Sequence, residues 1–75
     1  MTKVPKEQFF AAVHKAAQAD PMPTREYLPI RDAVTGAVIG QRSNWETQRG
    51  RRVLFGASET IFCGHPNSGD SYFLA

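Results

Sequence analysis

Cys63 and His65 are the residues whose types and spacing come nearest to chemistry. Positions two apart on a strand share a face, so a thiol and an imidazole would be neighbours there. A nucleophilic cysteine also needs its base oriented by a third group. Asp70 is the nearby acid, and it lies across the turn proposed at His65-Pro66-Asn67-Ser68-Gly69. The commoner reading is adopted instead: a buried strand cysteine, and a turn histidine ahead of a proline.

The nitrogen and sulfur donors for a metal are His14, Cys63 and His65, which lack the paired C-x₂-C spacing of a zinc site. His14 sits at the margin of a helical apolar stripe, an ordinary place for a half-buried histidine. The acids are scattered, without a spacing that implies acid–base work. The glycines mark turns, and no phosphate-binding glycine loop is present. Neither a catalytic residue, a metal nor a cofactor is assigned, and a non-enzymatic protein is expected.

The best polar feature runs from Arg42 to Arg52. Arg42, Arg49, Arg51 and Arg52 stand against one acid, Glu46, for a local charge of +3 in a chain of net +2. Asn44, Trp45 and Gln48 are interleaved with them. Guanidinium groups beside an aromatic suit phosphate contacts with base stacking. They suit an acidic protein surface equally well, since Trp and Arg are enriched among interface hot spots. A turn whose arginines are merely solvated is the third reading.

Seventy-five residues make one domain, 1–75. A chain of this size has a thin core and often relies on a disulfide, a metal or a partner. A single cysteine excludes an internal disulfide and fits a reducing compartment. The first residues lack the apolar run of a signal peptide, and no segment approaches the ~20 apolar residues of a membrane span. A cytoplasmic protein without membrane contact is expected.

The elements that position these residues follow from periodicity. Over Pro5–Ala19 the residues Phe9, Phe10, Val13 and Ala17 fall on one side, flanked by Ala12 and Ala16, with Glu7, Gln8, Lys15 and Gln18 opposite. That is an amphipathic helix. Asp20-Pro21-Met22-Pro23 should end it. A strand is predicted over Arg25–Arg31, at a sheet edge because Pro29 cannot donate to a ladder. Asp32 to Gly36 should form a hairpin turn with a glycine bulge. The second strand begins at Ala37, and its continuation to Thr47 with a turn at Gln48-Arg49-Gly50 is preferred over a short helix. Strands are further expected at Arg51–Phe55, Glu59–Cys63 and Ser71–Leu74, with Gly56-Ala57-Ser58 as a turn. The fold class is α+β, a helix packed on a twisted antiparallel meander of four to five strands, open or curled toward a barrel.

One feature departs from that scheme. A sheet covered on one side should alternate apolar and polar residues. Val53-Leu54-Phe55, Ile61-Phe62, Tyr72-Phe73-Leu74 and Val38-Ile39 are apolar on both faces. A helix of about fifteen residues is ~22 Å long and covers one face of a small sheet. The remaining side chains then call for a partner, because burying each large one is worth about 1.5–3 kcal/mol. A binding protein is therefore expected, an adaptor or inhibitor docking on a larger protein and self-associating as a homodimer. Leu54, Phe62, Tyr72 and Leu74 would supply apolar burial; Arg42, Trp45, Arg49, Arg51 and Arg52 would supply orientation. Nucleic-acid binding through Arg42–Arg52 is the alternative. The scale also matches small accessory proteins of phages and mobile elements that inhibit host systems, an analogy of size alone.

Overall fold

The computed structural model describes residues 1–19, 23–47 and 53–75. Its elements are β1 (Thr2–Val4), α1 (Lys6–Ala19), β2 (Thr24–Arg31), β3 (Val38–Thr47), β4 (Val53–Ile61) and β5 (Gly69–Leu74). The strands form one antiparallel sheet in the order β1-β5-β4-β3-β2. Strands β2 to β5 are a meander, and β1 adds to the free side of β5. The α+β class and the antiparallel sheet with an N-terminal helix are as expected. The barrel alternative is not: β1 and β2 are unpaired edges at opposite ends of the sheet, so it stays open. Pro29 lies in the edge strand β2, where its missing N–H removes no interior ladder bond.

Helix α1 lies across one face. Phe9 is fully buried, with its ring 5.9 Å from that of Trp45, 5.2 Å from Tyr72 and 5.4 Å from Phe10. The sheet makes room with small residues. Cross-strand neighbours share a face, so Thr2, Leu74, Gly56, Trp45 and Arg25 form one row, and Val4, Tyr72, Ser58, Ser43 and Tyr27 form the next. Gly56, Ser58 and Ser43 make the shallow middle of these rows, and Phe9 fills it.

Two readings of the last third of the chain are corrected. Gly56-Ala57-Ser58 is not a turn, and the segments on either side of it are one strand, β4. A register shift between Trp45 and Glu46 keeps it in phase, placing Trp45 opposite Gly56 and Glu46 opposite Leu54, with Phe55 as the extra residue. The strand β1 was not foreseen either; three residues give no periodicity to read. The turns expected at 20–22 and 48–50, and the strand start at Arg51, lie outside the described residues.

The β2–β3 turn is built as expected. Val34 N–H and Thr35 N–H donate to Asp32 Oδ1 at 2.8 and 2.9 Å, and Gly36 takes φ 75°. The Thr35 and Val34 amides favour the carboxylate and hold the Asp32 pKa below the ordinary 3.8. A lowered folded-state value means that the stabilisation is whole above the unfolded value and fades as pH falls through the folded one. In a proton-resolved NMR titration, the Asp32 carboxyl should therefore titrate below 3.8. Asp32→Asn should flatten the acid limb of the stability curve by this one group; an Asp32 midpoint at or above the ordinary value would contradict this account.

Candidate protein-docking surface

The structure separates the polar residues that the sequence groups together. Arg42 and Trp45 are three apart on β3, an odd number, so they lie on opposite faces. Trp45 faces the helix: its Nε1–H donates to Ser58 Oγ at 3.2 Å, and its ring meets Phe9. Arg25 stacks against the Trp45 ring at 4.8 Å and against Tyr27 at 4.7 Å. These contacts commit Trp45 to the fold. Arg42, on the other face, donates from Nη1 to Glu59 Oε1 at 2.6 Å and from Nε to Asn44 Oδ1 at 3.0 Å. Arg49, Arg51 and Arg52 lie outside the described residues.

The four apolar candidates divide likewise. Tyr72 and Leu74 lie on the helix side. Tyr72 packs against Phe9 and Phe10, and Leu74 lines a 370 Å³ groove beside Ala12, Ala16 and Phe55. Both are half-buried and serve the core. Leu54 pairs with Glu46 on the opposite face and is 40% exposed. Phe62 follows β4 at the sheet end nearer the β2–β3 turn and is 48% exposed.

Around Phe62 the structure assembles residues that sequence reasoning did not group. Tyr27, Leu28, Pro29, Val38, Gln41 and Phe62 line a cleft of 260 Å³. A second hollow of 320 Å³ shares Val38 and Phe62 and continues to Ile39 and His65. Tyr27, Leu28 and Val38 are exposed large side chains like Phe62 itself. The backbone closes this end, since Phe62 N–H donates to Ile39 O at 2.8 Å. The available signal was an edge strand, read from Pro29, carrying apolar residues on both of its faces.

The candidate chemistry is also placed. Cys63 is exposed rather than buried, because β4 ends at Ile61 and leaves it in the following turn. His65 is the expected turn histidine, its Nδ1 accepting from Asn67 N–H at 3.2 Å. His14 is exposed, not half-buried, on the outer side of α1. Among the described residues there is no group of three or more His, Cys, Asp or Glu placed to hold a metal, and no helix long and apolar enough to cross a membrane.

Fold and surface together define a small α+β domain: an open antiparallel sheet, helix-covered on part of one face, with an apolar cleft at its end. Comparison with protein-family models, with curated proteins and with solved structures finds no match.

Proposed function

We propose that this chain is a non-enzymatic binding protein, an adaptor or inhibitor that docks on a larger protein through the apolar end of its sheet. The supporting observation is the run of large side chains that α1 does not reach: Tyr27, Leu28, Val38 and Phe62 are 39–51% exposed around a shared cleft. The cleft holds 260 Å³. It is the size for one or two apolar anchor side chains from a protein partner, the form that interface hot spots take.

The test is capture by the purified wild-type chain and by the doubly substituted Val38→Asp, Phe62→Asp chain, each with and without nuclease. Both positions are about half exposed, so the variant should keep the far-UV circular dichroism of the wild type. A protein species retained by the wild type, lost on the variant and indifferent to nuclease is the expected result. Retention that nuclease abolishes would transfer the assignment to the nucleic-acid reading and the arginine segment. Equal retention by both chains would remove the cleft as the docking site.

A further inference from the structure

We propose that the sheet face opposite α1 is the contact between two copies of this chain, packed about a twofold axis that runs along β4. This goes beyond the docking reading and shares only Leu28 with it. The alternating register puts Leu28, Arg42, Glu46, Leu54, Glu59 and Phe73 on this face; no described helix or strand crosses it, but Met1 reaches over it, its Sδ accepting from Arg42 Nη2 at 3.8 Å. Ala57 is fully buried there, beneath its neighbours' side chains.

Three observations select a second copy as the occupant. The first is area. Four strands ~4.8 Å apart and about eight residues long present roughly 500 Å². Two copies would thus bury about 1,000 Å², the lower bound for a specific interface.

The second is charge complementarity. Lys3, Phe73, Ala57, Asn44 and Glu26 form one continuous row across the sheet. Its two ends are oppositely charged, and both are exposed. The strand order places β4 in the middle, with β1 and β2 equidistant from it. A twofold axis along β4 reverses the strand order of the second copy and keeps the row aligned. Lys3 of each copy then faces Glu26 of the other, giving two ion pairs at the rim. An isologous contact of this kind is the commonest route to a closed assembly.

The third is what falls on the axis. Leu54 and Ile61 share this face of β4 and would each meet their own counterpart. Glu59 also lies there, already neutralised by its own Arg42, which Asn44 orients further. Covering this pair buries each of its two charges together with the other, which is the condition for burying them at modest cost.

Sedimentation equilibrium on the full chain tests the arrangement. The wild type should give twice 8.3 kDa at micromolar concentration. Leu54→Lys places two ammonium groups together on the axis and should give a folded monomer. Lys3→Glu and Glu26→Lys each convert both rim pairs to like charges and should weaken the dimer at least about tenfold. The combination K3E/E26K restores opposite charges and should regain most of that loss. The proposal is overturned by a wild type that stays monomeric, by a dimer that Leu54→Lys leaves intact, or by a double reversal no tighter than its single parents. Each of those results leaves the Val38 and Phe62 experiment unaffected.

Discussion

Phe9→Ala should remove a large share of the chain's stability at 25 °C and shift its cooperative transition to much lower urea. Truncating a buried phenylalanine costs about 3–5 kcal/mol, as lost transfer energy plus the cavity left behind. The upper part of that range applies because Phe9 is fully buried and touches three other aromatic rings. Aromatic pairs contribute about 0.5–1.5 kcal/mol beyond the area they cover. The total available is small: a 75-residue chain at ordinary per-residue stability has about 4–11 kcal/mol. The loss is also hard to relax, because the middle of the rows beneath Phe9 is Gly56, Ser58 and Ser43, which cannot reach into the gap. Urea melts followed by far-UV circular dichroism and by Trp45 fluorescence would check this. Phe9→Leu should fall between the two. A Phe9→Ala midpoint within error of the wild type would show that α1 is not held by this ring.

Much of this architecture is visible in the residues, where one local rule acts alone. The 3.6-residue stripe gives α1, although Phe10 and Ala17, read onto its inner side with Phe9 and Val13, are exposed. Pro29 marks an edge because a missing donor is tolerated only there. Asp32 and Gly36 specify the turn between β2 and β3 through two backbone bonds and a left-handed φ. The reading fails where the same residues serve two purposes. Gly56-Ala57-Ser58 has the composition of a turn, yet its smallness serves packing: Gly56 and Ser58 lie beneath α1, and Ala57 lies beneath the opposite face. Composition cannot distinguish a chain that bends from one that must be thin, and that decision comes from the aromatic residue above it.

The site was less legible for a related reason. Arg42 and Trp45 look like one patch when grouped by composition, although the strand preferred to Thr47 already separates them. On an extended strand, an odd spacing sends them to opposite faces, one to Glu59 and the other to Phe9. Tyr72 and Leu74 similarly alternate with Phe73, so a run apolar on both sides divides between core and open face. The excess of apolar β-surface was nevertheless readable. Tyr27, Leu28, Val38, Leu54 and Phe62 are exposed because one helix of fourteen residues cannot cover a five-stranded sheet. Where they gather depends on the shifts in pairing at Ile30/Arg31 and Trp45/Glu46, which no single stretch of sequence displays.

Those shifts sharpen the expectation at Gly56. Gly56→Ala should destabilise by about 1–3 kcal/mol, the usual cost of overpacking, although alanine is otherwise the mildest of replacements. An added Cβ would stand 2.8 Å from the Phe73 carbonyl oxygen, 3.0 Å from Phe9 Cε1 and 3.3 Å from Leu74 Cδ2. The first is backbone of the paired strand β5 and cannot move without disturbing the ladder. The second is the ring that anchors α1. The third is a side-chain methyl with room to turn toward the groove beneath Ala12 and Ala16. Shortening the ring should therefore relieve only part of the strain. In a double-mutant cycle with Phe9→Leu, the combined loss should be smaller than the sum of the single losses by about 0.5–1 kcal/mol. The carbonyl contact should account for what persists. Strict additivity would mean that Phe9 does not rest on Gly56. A harmless Gly56→Ala would mean that the space here is not taken up by the helix, and β4 would then be free to carry an ordinary side chain where the structure requires none.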